Sequence, residues 1–91
     1  SSVDFFAAEY NTFAPSEPKF TLPLTRTSVK SVTVNGDTLT AGKDYTTGKE
    51  TLTLKKAALE KYRKDGSLVE YTVTLNDDEV YLLVIDYVKR A

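Results

Sequence analysis

The amino-acid sequence predicts an all-β protein, an antiparallel β-sandwich of six or seven strands with one short helix. From Val32 to Lys56, β-branched residues and leucines alternate with threonine, and Asn35-Gly36, Ala41-Gly42 and Thr47-Gly48 interrupt the alternation. A period of two is typical of strands, and Asn-Gly is a strong hairpin signal. Turn signals recur every ~8–12 residues, which is the spacing expected of a sandwich.

The first segment, residues 3–13, fits two conformations. Phe6, Tyr10 and Phe13 are spaced for one face of a helix, whereas Phe6, Ala8 and Tyr10 would share one face of a strand. We expect an extended strand. Pro15 and Pro18 then favour a loop.

The middle of the chain supplies further strands and the helix. Lys19–Thr25 alternates, and because proline cannot donate to a ladder, Pro23 predicts that this strand lies at an edge or is unpaired on the side of Pro23. In the next strand Lys30, Val32 and Val34 are expected to share a face. Ala57–Lys64 is rich in helix formers and is followed by Gly66, a common stop signal. The remaining predicted strands are Thr38–Thr40, Asp44–Thr47 and Glu50–Lys55.

The closing hairpin consists of Leu68–Leu75 and Val80–Val88 around Asn76-Asp77-Asp78-Glu79. A loop of two or four residues places Leu75 opposite Val80, and directly opposed residues point to the same face. The predicted core face of the hairpin then contains Val69, Tyr71, Val73, Leu75, Val80, Leu82 and Val84.

The other face of the last strand would carry Tyr81, Leu83, Ile85 and Tyr87. A strand that is apolar on both faces is unexpected at a sandwich surface. Three interpretations remain open: residues 3–13 or a crossing strand of the same chain cover this stripe, a neighbouring module docks on it, or a sugar stacks on its tyrosines. These four residues are the candidate partner- or ligand-binding residues.

Composition excludes several function classes. Ninety-one residues form one domain, residues 1–91, because two halves would be too small to bury cores. A net charge of −1 argues against nucleic acid as a partner. No stretch approaches the ~20 apolar residues of a membrane-spanning helix. The basic run from Lys55 to Lys64 includes Glu60 and is expected to be a solvated helix face.

The residue inventory also argues against catalysis. The chain has no Cys and no His, which removes disulfides, thiolate chemistry and the usual general base. Asp77-Asp78-Glu79 is expected to be a turn rather than a calcium site or a pair of glycosidase carboxyls. Gly42-Lys43 and Gly48-Lys49 lack the spacing of a phosphate loop. We therefore expect no enzyme activity, no metal and no cofactor.

Two runs resemble a known family. Val-Asn-Gly-Asp-Thr-Leu-Thr-Ala-Gly-Lys-Asp-Tyr (34–45) and Thr-Leu-Thr-Leu-Lys-Lys-Ala-Ala-Leu (51–59), followed by a glycine and a closing hairpin, are similar to the immunoglobulin-like X modules of cellulosomal scaffoldins and bacterial glycoside hydrolases. The resemblance extends from about Phe20 to Val88.

This resemblance implies an immunoglobulin-like fold and a noncatalytic accessory module of a multi-domain bacterial protein, secreted or at the cell surface. Such a module spaces or stabilises an adjacent module, for example a dockerin or a catalytic domain. One alternative is a carbohydrate-binding module that uses exposed tyrosines, and another is an immunoglobulin-like surface domain of a phage or adhesin. Ser1-Ser2 is expected to be a cloning remnant or the stub of a linker.

Overall fold

The computed structural model describes residues 3–91, which form two sheets around one apolar core. Ser1-Ser2, expected to be a cloning remnant or the stub of a linker, lies outside the described residues. The five-stranded sheet has the order β1-β8-β7-β3-β4 and the three-stranded sheet the order β2-β6-β5. The elements are β1 (Asp4–Asn11), β2 (Lys19–Thr21), β3 (Val29–Val34), β4 (Asp37–Thr38), β5 (Tyr45–Thr47), β6 (Thr51–Leu54), α1 (Lys56–Lys61), β7 (Leu68–Leu75) and β8 (Val80–Val88).

The predicted β-sandwich is confirmed, with eight strands in the described residues instead of six or seven. Each of the eight corresponds to a segment that the sequence predicts to be a strand, and the shortest of them, β4, pairs over only two residues. Among residues 3–91, no helix has both the length and the apolar character that crossing a membrane requires.

The first segment forms a strand, as expected, and it pairs with the last strand of the chain. β1 runs parallel to β8, from Asp4 beside Tyr81 to Asn11 beside Val88. Its alternation buries Tyr10 completely and leaves Phe5 exposed. The first and last strands therefore lie side by side in the five-stranded sheet.

The three-stranded sheet confirms the edge position predicted from proline. β2 lies at the edge of this sheet, and it ends at Thr21, before Pro23. Phe20 and Leu22 point into the core, where they meet Leu52 from β6.

The register of the closing hairpin differs from the prediction. The amide of Leu75 donates to the carbonyl of Glu79 at 2.9 Å, and Thr74 pairs with Val80, so the loop contains three residues, 76–78. Asp78 adopts a left-handed conformation with φ 69°, as three-residue hairpin loops require. Because the loop length is odd, every residue of β8 moves by one position relative to the predicted pairing, and its two faces exchange.

A β-bulge changes the predicted face of β3. The register shifts between Val29 and Ser31, so Lys30 is the extra residue and turns toward solvent. Val32 and Val34 remain in the core as predicted. Lys30 instead lies 3.8 Å from the carboxylate of Asp78.

The short helix α1 covers one part of the core through Ala58 and Leu59. It ends at Lys61, three residues before the predicted end, because Tyr62 leaves the helical conformation with ψ 13°. No side chain of its own N-cap residue closes the first turn; the carboxylate of Glu17 accepts from the Lys56 amide at 2.8 Å. The connection to β7 then passes through Gly66, whose φ is +77°.

Candidate functional site: an outer sheet face and two clefts beside Tyr62

The stripe predicted to face outward lies on the core side of β8. Leu83, Ile85 and Tyr87 have no exposed surface, and Tyr81 is half-buried. The predicted orientation is therefore wrong, because the three-residue loop exchanged the two faces of the strand. Three of the four candidate binding residues are thus not accessible to a partner in this structure.

The covering of this stripe comes partly from the first strand. The ring of Tyr10 packs edge-on against Tyr87 with centroids 5.6 Å apart, and Phe6 lies 5.9 Å from Tyr81. Of the three interpretations of the stripe, the one in which residues 3–13 of the same chain cover it agrees with these contacts. Tyr81 is the member of the stripe that keeps access to solvent.

The exchange of faces leaves a different apolar surface on the outside of the five-stranded sheet. The strand register places Phe5 beside Leu82 and Ala7 beside Val84. Phe5 is 66% exposed, and Leu68, further along the sheet, is 65% exposed. We call this set, Phe5, Ala7, Leu68, Leu82 and Val84, the outer apolar surface.

Carboxylates border the outer apolar surface. Glu9 lies beside Asp86 in the strand register, and Glu70 lies beside Val84. The guanidinium of Arg90 donates to Glu9 at 2.8 Å, which leaves two carboxylates of this border without an ion pair in the described residues. The sheet face therefore combines an apolar centre with an acidic edge.

A second candidate site consists of two open, polar clefts. The first has a volume of about 520 Å³ and lies where β3 separates from β7, beyond the last registered pair, Thr33 with Thr72. Its polar lining comes from Thr33, Asn35, Lys64, Glu70 and Thr72. The second has a volume of about 480 Å³, and its polar lining comes from Asp37, Thr38, Thr40, Lys43, Asp44 and Lys61.

Tyr62 and Gly36 line both clefts and form the wall between them. The Tyr62 hydroxyl donates to the carboxylate of Asp37 at 2.8 Å, and this hydrogen bond raises the pKa of the tyrosine. Asn35 and Gly36 form the turn between β3 and β4 with φ values of 50° and 82°, both positive as a type I′ turn requires. The predicted hairpin thus places Asp37 next to Tyr62.

Tyr62 is not among the candidate binding residues that the sequence predicted. Its contact with Asp37 spans 25 residues and depends on how the β3–β4 hairpin folds against the end of α1. Asp37 belongs to the Asn-Gly hairpin motif, but no local signal links that motif to Tyr62, so the pair could not be predicted from the sequence.

The acidic turn shows the geometry of a turn. The carboxylate of Asp77 accepts from the amide of Glu79 at 3.1 Å, as expected for an Asx-type turn. Within residues 3–91, no three side chains of the types that ligate metals come together in a way that could hold an ion.

Solved structures show the same fold. A tri-modular endo-β-1,4-glucanase B from Bacillus halodurans matches 92% of the chain at 22% identity with a TM-score of 0.73. A trimodular GH5 subfamily 4 endoglucanase matches 99% at 21% identity with a TM-score of 0.69. A tri-modular GH5 subfamily 4 endo-β-1,4-glucanase from Bacillus licheniformis, solved with cellotetraose, matches 93% at 17% identity with a TM-score of 0.64.

The chain corresponds to only 16–17% of the length of each of these enzymes. No curated protein sequence matches it. A family model does: residues 3–82 match the family described as carbohydrate binding domain X2. This match confirms the resemblance to X modules of glycoside hydrolases. With 80 of its 91 residues matched, the chain belongs to the carbohydrate binding domain X2 family, whose members are binding modules and not enzymes.

Proposed function

We propose that the chain is one accessory module, residues 1–91, of a secreted multi-domain bacterial protein, and that it spaces and stabilises an adjacent module. The parallel pairing of β1 with β8 carries this proposal. A segment before β1 joins at the Asp4 end of the pair, whereas a segment after β8 leaves at the Val88 end. At ~3.3 Å per residue, the eight registered pairs separate these two points by ~25 Å.

The shape of the domain supports the spacing role. Its principal extents are 41 × 24 × 21 Å, so the body is longer than it is wide. Modules attached at the two ends of the β1–β8 pair would be held apart by a folded body whose length is fixed. A flexible linker would instead leave their separation variable.

The outer apolar surface supports the stabilising role. Monomeric proteins rarely expose contiguous apolar surface unless it contacts something. We assign the adjacent module of the same chain as the occupant, because the tri-modular glucanases with this fold devote only 16–17% of their length to the corresponding segment. The acidic border at Asp86 fits an adjacent module that presents lysine or arginine beside an apolar patch.

A charge substitution on the outer apolar surface tests the stabilising role. In a protein that joins this chain to its adjacent module, Leu82→Lys should lower the melting temperature of the adjacent module to the value that the adjacent module has when it is expressed without this chain. The control is Thr46→Lys, at an exposed strand position of the three-stranded sheet, and it should change nothing. An adjacent module that melts at one temperature with or without this chain attached would overturn the stabilising role.

Energy transfer between labels on the two flanking modules tests the spacing role. The absence of native cysteine in this chain keeps labelling specific to the introduced sites. We expect a single narrow distance distribution. A broad distribution, as a flexible tether gives, would contradict the role of a rigid spacer.

A second candidate function is polysaccharide binding. The family description favours it, and so do the two polar clefts beside an aromatic ring. The same family match favours a glycoside hydrolase context over the phage or adhesin surface domain that the sequence also allowed. Retardation of the chain in gels that contain soluble polysaccharide tests this function directly.

A further inference from the structure

We propose that the two clefts beside Tyr62 form one binding site for a neutral carbohydrate chain, with at least one sugar unit in each cleft. The inference rests on the polysaccharide-binding function and specifies its location, ligand charge and minimum ligand length. It assigns the binding to Tyr62 and the β3–β4 hairpin rather than to the tyrosines of β8.

The position of the Tyr62 ring suits sugar stacking. The ring is half-buried, and its hydroxyl is held by Asp37, so its orientation is fixed before a ligand arrives. A preorganised side chain loses little conformational entropy on binding. The ammonium of Lys61 lies over one face of the ring, 5.4 Å from its centroid, so the proposed sugar stacks on the opposite face.

The charges of the clefts indicate an uncharged ligand. The first cleft contains one carboxylate, Glu70, and one ammonium, Lys64. The second contains two of each sign, Asp37 and Asp44 with Lys43 and Lys61. A phosphate or polyanion would require an excess of cations, and an apolar ligand would require an apolar lining.

Hydroxyl groups of the ligand match the remaining lining. The threonines of both clefts can donate and accept, the carboxylates accept, and the ammonium groups donate. Two threonines line each cleft: Thr33 and Thr72 the first, Thr38 and Thr40 the second. A polyhydroxylated chain is the ligand class that can use all of these groups together.

The dimensions of the clefts set the length of the ligand. Volumes of about 520 and 480 Å³ both lie within the range of small-ligand sites, roughly 300–1,000 Å³. The wall between them is low at Gly36, where a methyl group in the Cβ position would meet no heavy atom within 4 Å. A linear chain can therefore cross the wall and occupy both clefts.

The test uses a neutral polysaccharide, hydroxyethyl cellulose, and a charged one, polygalacturonate, in affinity gel electrophoresis. The wild-type chain should be retarded by the first and not by the second. Tyr62→Ala should weaken retardation by about tenfold or more, as loss of a central aromatic contact does. Tyr62→Phe keeps the ring but loses the hydrogen bond to Asp37 that fixes its orientation, so its retardation should lie between that of the wild-type chain and that of Tyr62→Ala.

A matched control uses an aromatic residue that lies outside both clefts. Phe13 is 59% exposed and also has a lysine, Lys89, within 5.9 Å of its ring. Phe13→Ala should leave retardation unchanged. If Phe13→Ala abolishes retardation and Tyr62→Ala does not, the site assignment is wrong although the chain binds polysaccharide. If no neutral polysaccharide retards the wild-type chain, both the binding function and the site are wrong.

Titration with neutral β-1,4-linked glucose oligomers tests the joining of the clefts and does not depend on a variant that folds. In amide NMR spectra of the wild-type chain, signals of Gly36, Thr72 and Lys43 should shift together. Affinity should rise at least tenfold from the monosaccharide to the tetrasaccharide. An affinity that does not change with length, or shifts confined to other strands, would overturn the proposal.

Discussion

Removal of the Tyr87 hydroxyl should destabilise the fold far more than removal of the neighbouring Tyr71 hydroxyl. Both side chains are fully buried. The Tyr87 hydroxyl donates to the carbonyl of Leu59 at 2.8 Å, so its single proton is used there. It therefore accepts from Tyr71 across the 2.7 Å contact between the two hydroxyls. This chain of hydrogen bonds links β7 and β8 to helix α1.

The expected free energies follow from which groups lose their partners. Tyr87→Phe removes both hydrogen bonds and leaves the Leu59 carbonyl and the Tyr71 hydroxyl buried without partners, a cost of about 2–4 kcal/mol. Tyr71→Phe removes one bond and leaves Tyr87 bonded to Leu59, a cost of about 1 kcal/mol. The double variant should lower the free energy of unfolding no more than Tyr87→Phe alone, because residue 71 then has no buried hydroxyl that is left without a partner.

Urea unfolding followed by far-ultraviolet circular dichroism measures these differences at pH 7. A domain of this size has a stability of about 5–10 kcal/mol, so even the largest expected loss leaves a measurable transition. The two single changes should be strongly non-additive in the double variant. Equal losses from the two single variants, or additive losses in the double variant, would refute the proposed direction of the hydrogen bonds.

The remaining predictions concern the register, the helix and alkaline pH. Leu83→Ala should lower the free energy of unfolding in urea by about 2–5 kcal/mol, because Leu83 is fully buried. Leu82→Ala should lower it by about 1 kcal/mol or less, because Leu82 lies on the outer face. The opposite order would support the predicted register, with a loop of two or four residues. Glu17→Ala should lower the free energy of unfolding by about 1 kcal/mol, because it removes the hydrogen bonds of Glu17 to Lys55 and Lys56 at the start of α1. Glu50→Ala, at an exposed position, is the neutral control. Equal effects of the two variants would show that Glu17 does not cap the helix. Burial raises the pKa of Tyr71 and of Tyr87 above the ordinary value near 10, so the unfolded chain releases these protons first. The free energy of unfolding should therefore fall above pH 10 by up to about 1.4 kcal/mol per pH unit for each of the two tyrosines. Urea melts that are unchanged to pH 11 would contradict this.

The positions of the strands could be predicted because alternation and turn residues are local signals. Asn35-Gly36 allows few conformations, and the structure shows the hairpin expected of it. The register of the closing hairpin could not be derived in the same way. Asn76, Asp77 and Asp78 are good turn formers in loops of two, three or four residues, and Asp78 tolerates the left-handed conformation that the three-residue loop needs.

That single difference in loop length decided the outcome for the predicted binding residues. Because β8 is apolar on both faces, the sequence could not show which face was buried. On the buried face, Tyr87 packs against Tyr10, a contact between residues 77 positions apart. Local patterns carry no information about such a contact, whereas the presence and type of each strand depend mainly on its own residues.

The parallel contact of β1 with β8 also has a mechanical consequence. Tension applied between the segment before β1 and the segment after β8 would pull the two strands in opposite directions along their length, with all eight registered pairs loaded at once. An antiparallel hairpin pulled from its two free ends would instead open one pair at a time. We expect single-molecule stretching to show a force peak when β1 slides past β8, so that the two ends of the chain would move apart only after a high load.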